Sequence, residues 1–398
     1  MKWEKVKLGN VTDSCLGKML DQNKNKGDYQ PYLANVNVRW GEFDLEDLPL
    51  MKFEESEQER YELKYGDLVI CEGGEPGRCA IWKEQIPNMK IQKALHRVRV
   101  HDCLDYRYLF YWFLLAGKTG ELDQYFTGAT IKHMPGQKLK EVVIDKPPLE
   151  IQHRIADILS AYDDLIENNQ QQIKLLEEAA QRLYKEWFVD LRFPGHENTK
   201  IVDGVPEGWR TSTVSEVSAV LRRGISPKYN EKARGIVINQ KCIRQTIVSY
   251  DEARTQEKKY PAELEMMESD IVICSTGAGT LGRVGQIFEA KGNVTLDSHV
   301  TLIRANEKIG QQSLFWSLKM KQDYLMNAGK GSTNQLELSR ETIRSCEILI
   351  PERKIAEQVE KNFVAIHNKM KECSMQIARL REARNLLLPK LMSGEVEV

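Results

Sequence analysis

Two stretches of the chain repeat apolar residues at alternating intervals of three and four. The first runs from Leu159 to Trp187 and the second from Phe363 to Leu387. This spacing, kept over about four heptads, is typical of a coiled coil. The predicted seam residues are Leu159, Tyr162, Ile166, Asn169, Ile173, Leu176, Ala180, Leu183, Phe363, Ile366, Met370, Cys373, Ile377, Leu380 and Leu387. The alternative is a pair of amphipathic helices that each pack on their own domain.

The same chain also repeats itself outside these helices. The segment Leu33–Arg39 matches Ile238–Arg244, and Gly66–Cys71 matches Ser269–Cys274. These matches keep their order at a nearly constant separation of about 205 residues, and the helical seams are 204 residues apart. A collinear set of this kind indicates a duplication of about half the chain.

Upstream of each helix, short β-rich runs alternate with one shorter helical stretch. Runs such as Asp67–Cys71 and Asp270–Cys274 predict strands, and Tyr106–Leu115 and Gln312–Met320 predict helices. We therefore expect an α+β fold with two similar domains of mixed α/β structure. The expected division is 1–147 for the first domain, 148–191 for the central helix, 192–207 for a linker, 208–350 for the second domain, and 351–398 for the C-terminal helix and tail.

The short linker bears on how the two helices pair. About 35 helical residues form a rod of ~50 Å, and the linker is too short to return along it and also enter the second domain. Antiparallel pairing is therefore expected, with the two domains separated by the helices and related by a pseudo-twofold axis within one chain.

Composition narrows the class of protein. The chain has 398 residues, with 57 Lys and Arg against 58 Asp and Glu, and 41% of its residues are apolar. This balance predicts a folded, water-soluble protein. The eight cysteines include no C-x-x-C pair, which favours reduced thiols. We find neither an apolar run long enough for a membrane span nor a signal peptide, so we expect a cytoplasmic protein without membrane contact.

Catalytic and cofactor motifs are weak. Gly277–Gly282 matches G-x-G-x-x-G, but a β-like run follows it where a dinucleotide site needs a helix, so we expect a tight turn between strands. His96, His101 and Cys103 form a poor metal cluster without a counterpart in the repeat. We expect a non-catalytic protein that binds no metal and no cofactor.

Polar residues recur beside the predicted turns of both halves. Arg, Asn and Gln are the side chains that contact guanine and adenine edges, and Arg and Lys contact phosphates. Each residue alone is more often an ordinary solvated side chain. The candidates for DNA binding are Asn35, Asn37, Arg39, Arg78, Lys132, His133, Arg222, Arg223, Ser226, Lys228, Asn239, Gln240, Lys241, Arg244, Ser275, Thr276, Arg283 and Lys330.

Nearly the whole chain resembles the specificity subunit of type I restriction-modification systems. The resemblance is strongest in PPLEIQHRIADILSAYDDLIENNQQQIKLLEEAAQRLYKEWFVDLRFP and in PERKIAEQVEKNF with the terminal LPKLMSGEVEV. The turns GDLVI…GR, SDIVICSTGAGTLGR and GKGST resemble those of the family's target recognition domains.

The resemblance implies that each target recognition domain reads one half of an asymmetric, bipartite site in double-stranded DNA. It implies a coiled coil that sets the spacing and docks two methyltransferase subunits, with restriction and translocase subunits joining the complex. S-adenosylmethionine, ATP and Mg would then belong to those partners. The alternatives are a specificity subunit of a methylation-only system and a coiled-coil interaction scaffold that does not read DNA.

Overall fold

The structure is a computed structural model that describes residues 3–21, 25–277, 279–329 and 336–398. Its residues fall into two compact units. The first unit combines Met1–Glu167 with Ile377–Val398, and the second is Asn168–Gln376. The segments predicted as coiled-coil helices are therefore each divided between the two units.

The first unit contains three sheets and three short helices before the long helix α4 begins. Its sheet orders are β2-β8-β5-β6, β4-β3-β7 and β1-β9. The strands are β1 Glu4–Lys7, β2 Thr12–Leu16, β3 Asp28–Leu33, β4 Leu50–Phe53, β5 Leu68–Cys71, β6 Cys79–Ile81, β7 Lys90–Ile91, β8 Leu95–Val100 and β9 Val143–Lys146; the helices are α1 Gln58–Tyr61, α2 Tyr106–Thr119, α3 Gly136–Glu141 and α4 Leu149–Tyr184.

The second unit repeats this topology strand for strand. Its sheet orders are β13-β19-β16-β17, β15-β14-β18 and β12-β20. The strands, after a hairpin of β10 Ile201–Val202 and β11 Val205–Pro206, are β12 Arg210–Thr213, β13 Ser218–Arg223, β14 Gly235–Ile238, β15 Arg254–Gln256, β16 Ile271–Cys274, β17 Val284–Gln286, β18 Val294–Leu296, β19 Val300–Ala305 and β20 Glu347–Ile350; the helices are α5 Gln311–Met320, α6 Gln322–Asn327, α7 Arg340–Arg344 and α8 Arg353–Ser393. The predicted duplication and the α+β class are confirmed.

Strand β5 shows why these apolar runs become fully buried strands. Successive side chains of a strand point to opposite faces. Leu68 and Ile70 enter a core with α2, whereas Val69 and Cys71 enter a second core on the other face. The corresponding strand β16 also divides its side chains between two cores. A central strand with both faces covered has no polar face, which explains the unbroken apolar sequence.

Helices α4 and α8 run in opposite directions within each unit. In the first unit, Ile155 of α4 shares a core with Leu391 of α8, and eight residues later Asp163 is bonded to Arg384, which lies earlier in α8. In the second unit, Gln172 lies beside Cys373, and Tyr184 shares a core with Phe363. The position on α8 decreases as that on α4 increases, as expected for antiparallel helices.

The ends of the elements differ slightly from the expected divisions. Helix α4 begins at Leu149, after Pro148, and continues beyond Tyr184 as a π-helical turn, Lys185–Val189. Helix α8 begins at Arg353, later than the expected residue 351. The 192–207 linker contains the β10–β11 hairpin, so it is not wholly irregular.

Candidate nucleic-acid interface

In the first unit, two loops that carry candidate residues are bonded to each other. The Asn35 side chain lies in a 3₁₀ turn after β3 and donates from Nδ2 to the Gly73 carbonyl oxygen, 2.7 Å away. Arg78 donates from Nη2 to Asn35 Oδ1 at 3.0 Å and to the Asn35 carbonyl at 3.1 Å. Its Nη1 lies 3.0 Å from Glu75 Oε2. Arg78 therefore joins the loop after β3 to the turn after β5.

Asn37 and Arg39 support the loop after β3 itself. The buried amide of Asn37 accepts from the Ala34 amide at 2.9 Å and donates to the Asp44 carbonyl at 3.0 Å. The Arg39 guanidinium donates to the carbonyls of Val36 and Val38. Asn37 thus has a structural role here, whereas the Arg39 side chain is 42% exposed and accessible from outside.

A third segment meets the same turn. His133 pairs with Thr127 by two backbone hydrogen bonds and forms a β-bridge with Gly73. Lys132 lies over the Phe126 ring and 3.5 Å from Asp123. The three segments border a cleft of about 590 Å³ lined by Trp40, Glu75, Phe126 and Lys132, among others. Several candidates of the first unit are therefore neighbours in space.

The second unit builds a corresponding cluster from different side chains. Gln240 occupies the position of Asn35 in the repeat; its Nε2 donates to Thr276 Oγ1 at 2.6 Å. Asn239 caps this turn by accepting from the Lys241 amide at 2.8 Å, and it donates to the Glu252 carbonyl at 2.6 Å. Thr276 pairs with Glu337 by a β-bridge, as Gly73 does with His133.

Ser275 and His299 extend this second cluster, and Ser226 lies in the segment after strand β13. Ser275 is fully buried and its hydroxyl lies 2.6 Å from Thr301 Oγ1, so it stabilises the turn from inside the unit. The backbone carbonyl of Ser226 accepts from Lys258 Nζ at 2.9 Å. His299 Nδ1 lies 2.8 Å from Thr276 Oγ1. His299 is not among the candidates predicted from the sequence. Its carbonyl accepts from the Ser275 amide as the Ala94 carbonyl accepts from the Glu72 amide, so its repeat counterpart is Ala94, which offers no polar side chain.

Three of the six described basic candidates of the second unit have acidic partners. Arg222 pairs with Glu263, and Lys228 pairs with Glu257. Arg223 lies 2.6 Å from Glu337 and also donates to the Leu338 carbonyl at 2.7 Å. These carboxylates lower the local positive charge.

Arg244 differs from those basic side chains. It is exposed, its Nε donates to the Lys241 carbonyl at 3.2 Å, and no described acidic group forms an ion pair with it. Lys241 is exposed as well, and Arg283 is half-buried. Lys330 lies outside the described residues. Among the described candidates of this unit, Arg244 is thus well placed to contact an external anion.

The described residues of the glycine-rich segment, Gly277 and 279–282, form a turn, as expected. Its described residues include Gly277, Gly279 and Gly282, all with positive φ, and strand β17 follows directly. A Cβ on Gly282 would lie 2.4 Å from the backbone nitrogen of Met326, so the close approach of α6 requires glycine there. The segment therefore does not have the geometry of a dinucleotide-binding loop.

His96 and His101, which the sequence offers only as a poor metal cluster, lie beside different partners. His96 is buried against the Met134 carbonyl at 2.9 Å, and burial lowers its pKa. His101 lies 3.4 Å from Asp13 instead. Within the described ranges, no group of three or more His, Cys, Asp or Glu side chains could hold a metal ion.

No helix in the described part of the chain has the length and apolarity to cross a membrane.

All fifteen predicted seam residues lie on α4 or α8 and are buried or half-buried. Asn169 is 6% exposed, and its repeat partner Cys373 is fully buried. The Cys373 thiol lies 3.9 Å from Gln172 Oε1. A polar residue at this level of the seam is the arrangement that can fix helix register.

Comparison with known proteins identifies the family. The type I restriction modification DNA specificity domain matches residues 1–178 and again 206–372. The MjaIX specificity subunit of Methanocaldococcus jannaschii is 28% identical over 84% of this chain and 78% of its own length. The HindI specificity subunit of Haemophilus influenzae is 24% identical over 99% of both chains.

A solved structure has the same fold. The crystal structure of the type I restriction-modification S subunit from M. genitalium has a TM-score of 0.57 and 16% sequence identity, and it covers 98% of this chain and 96% of its own. Two family domains, matched in order and coinciding with the duplicated sheets, account for most of the sequence. The chain therefore belongs to the specificity subunits of type I restriction-modification systems, with one target recognition domain in each half.

Proposed function

We propose that each target recognition domain reads one half of a bipartite site in double-stranded DNA. The observation that carries this proposal is the repeated loop cluster. Asn35 and Gln240 occupy the same place in the two units, and each joins the loop after an equivalent strand to the next turn. The exposed guanidinium groups of Arg39 and Arg244 lie at equivalent positions in these two loops and are suited to guanine edges.

The two clusters differ in side chains, so the two half-sites should differ in sequence. Asn35 is bonded to Arg78, whereas Gln240 is bonded to two threonines, Thr276 and Thr280. The complete site is therefore asymmetric. Half-sites read from one face of the duplex lie about one helical turn apart, ~34–36 Å between centres, or somewhat more.

The chain itself acts as a non-catalytic subunit. Two methyltransferase subunits dock on the paired helices, bring S-adenosylmethionine and perform the chemistry, and restriction and translocase subunits use ATP and Mg. Exposed leucines on both helices support this docking, because Leu175 is 54% and Leu386 is 64% exposed. Large apolar side chains left exposed on a helix are suited to a protein partner. We place the complex in the cytoplasm, where the DNA lies.

Long-read methylome sequencing tests this function. Cells would carry this chain with the methyltransferase encoded beside it, and a matched strain would lack this chain only. Methylation at one split, asymmetric motif that depends on the chain is expected. Methylation independent of the chain, or none in either strain, contradicts the proposal.

The family match supports this function over a methylation-only system and a pure scaffold, and two further measurements distinguish the three. Adding the restriction subunit to the same cells distinguishes a complete restriction system from a methylation-only one, because only a complete system cleaves unmethylated DNA that carries the motif. A scaffold would give no motif and no DNA footprint even with its partner bound.

A further inference from the structure

In the second unit, the loop of residues 239–248 carries Arg244 and is held along strand β17. The backbone N–H of Gln286 donates to the Thr246 carbonyl at 2.8 Å, and the backbone N–H of Val248 donates to the Gln286 backbone carbonyl at 3.1 Å. Ile247 and Gln286 also form a parallel β-bridge. The position of Arg244, two residues before Thr246, therefore depends on Gln286.

Helix α8 contacts Gln286 through a buried histidine. His367 is 4% exposed, and its Nδ1 lies 3.1 Å from Gln286 Oε1. Its Nε2 lies 3.4 Å from the Ser269 hydroxyl, and its ring stacks on Phe288 with 4.3 Å between centroids. Gln286 Nε2 donates to the Ser269 carbonyl at 3.0 Å. The side-chain amide of Gln286 is thus held between α8 and the turn before β16.

Helix α4 contacts the loop directly. Burial raises the pKa of the Glu177 carboxyl, and the neighbouring side chain of Thr246, which is 2% exposed, acts against this rise as a hydrogen-bonding group. Lys319 lies close enough to Glu177 to interact electrostatically with it, and Lys319 also donates to the Val284 carbonyl of β17 at 3.1 Å. A buried polar group that lost these partners would carry a desolvation cost. Both long helices therefore hold the Arg244 loop.

The first unit uses the equivalent helix position differently. Asp163 stands 204 residues before His367. It accepts from the Tyr111 hydroxyl at 2.6 Å and from Arg384. Those contacts connect α4 to α2 and α8. The residue that corresponds to Gln286 is Ile81, which has no side-chain amide. The polar connection from helix to loop described for His367 thus belongs to the second unit.

We propose that His367 and Glu177 are positioning residues for recognition of the second half-site, because they hold the Arg244 loop in register from the paired helices. The inference rests on the proposed function. Neither residue needs to touch DNA. Loss of either contact should loosen discrimination at the second half-site and leave discrimination at the first unchanged.

The test uses the full chain assembled with its methyltransferase subunits. Methylation rates are measured on the motif found by methylome sequencing and on duplexes with one base pair changed in either half-site. His367→Phe keeps a ring beside Phe288 but removes the contact with Gln286. We expect its discrimination at the second half-site to fall by about fivefold, the effect of one hydrogen bond.

Two matched variants separate positioning from general destabilisation. Phe363→Leu lies on the same helix in the apolar core and should lower the melting temperature without a selective effect on the second half-site. Glu177→Gln retains an acceptor for Thr246 and should behave nearly as the wild type. Glu177→Leu removes that acceptor and should reduce discrimination at the second half-site. Equal losses at both half-sites, or no loss in His367→Phe and Glu177→Leu, overturn the inference.

Hydrogen–deuterium exchange of the isolated chain gives a readout that does not depend on DNA. His367→Phe should increase exchange in residues 239–248 and leave residues 34–44 unchanged. Unchanged exchange in 239–248 overturns the positioning role even if the methylation motif exists. Increased exchange without any methylation motif preserves the structural contact but removes its proposed function.

Discussion

Arg304 binds the carboxylate of Asp270 with two parallel hydrogen bonds, Nε to Oδ1 at 2.6 Å and Nη2 to Oδ2 at 2.7 Å. The carboxylate also accepts from the Met267 amide at 2.7 Å. Asp67 and Arg99 repeat the arrangement in the first unit at 2.7 Å for both bonds. Asp67 and Asp270 are 1% and 2% exposed. Each pair joins one central strand of a four-stranded sheet, β8 or β19, to the turn before the other central strand, β5 or β16.

Removal of one member of this pair should destabilise the second unit. Asp270→Asn leaves the Arg304 guanidinium largely buried beside a neutral amide, and breaking such a pair costs about 3 kcal/mol. Urea denaturation of the isolated chain measures the change in unfolding free energy. Glu341→Gln, at the exposed 3.9 Å pair with Arg344, is the control and should change it by less than about 0.5 kcal/mol. Similar small effects for both variants would show that the pair of Asp270 and Arg304 does not stabilise the second unit.

A charge in the seam should prevent assembly for every DNA sequence. Ile377 is 9% exposed, so Ile377→Asp places an unpaired carboxylate in an apolar seam at a cost of several kcal/mol. Loss of the complex with methyltransferase subunits on size-exclusion chromatography is expected. Ala378→Asp, at the exposed neighbouring position, should assemble normally. Assembly of both variants would exclude Ile377 from a packed seam. Leu176→Asp provides the corresponding test on α4.

Arg244→Ala should weaken recognition of the second half-site. A bidentate contact to a base contributes ~1–3 kcal/mol of discrimination, so the methylation rate on the complete site should fall by about tenfold or more. Substitutions in the first half-site should keep their wild-type penalty. Lys308→Ala removes a similar exposed charge away from the loop of residues 239–248 and is the control. A neutral result for Arg244→Ala would remove this residue from the interface.

Two carboxylates should limit nonspecific binding to DNA. Glu257 and Glu263 pair with Lys228 and Arg222, and phosphates would have to compete with them. The double variant Glu257→Gln, Glu263→Gln should bind random duplex more tightly. Its log–log dependence of affinity on salt concentration should become steeper by about one to two. Fluorescence anisotropy at several salt concentrations measures both. An unchanged slope would show that the two basic side chains do not meet phosphates.

Acidification should destabilise the second unit through His367. Burial lowers its pKa to about 4, against the opposing effect of Glu268, while Lys371 lowers it further. The unfolded chain, with a pKa near 6.5, binds the proton more readily, so this contribution to stability is present above about pH 6.5 and is lost as the pH falls toward 4.

Between pH 7.5 and pH 5 the loss from His367 should reach about 2 kcal/mol. Urea denaturation at both pH values measures it in the wild type and in His367→Phe, which cannot take up the proton. The variant should lose less stability over this interval. Equal losses in the two proteins would show that His367 does not titrate as its burial requires.

The duplicated fold was predictable because it depends on local patterns that recur at a constant separation. The apolar runs of β5 and β16, and the helices α2 and α5, were all expected near their observed positions. The 3–4 spacing of α4 and α8 predicted their length. Such patterns depend on neighbouring residues of one segment, which the sequence displays directly.

The candidate interface was less predictable because its geometry depends on residues far apart in the sequence. Asn37 and Ser275 have the same polar chemistry as accessible residues, but they are buried with their polar atoms bonded inside the unit. The sequence predicts Arg78 as a DNA contact, yet its guanidinium bonds Asn35, 43 residues away. The contact between Glu177 and Thr246 crosses from α4 to a loop and left no local signal. Roles of the selected residues in DNA contact remain predictions.

The division of the helices between the units has a consequence for synthesis on the ribosome. The second unit is one continuous segment, 168–376, whereas the first requires residues 377–398 to cover its core with Leu388, Leu391 and Met392. The first unit, most of which is translated first, therefore cannot complete its core until the last part of α8 has left the ribosome. A nascent chain released before that point would carry a finished second unit and an open first one, with its apolar surface available to chaperones.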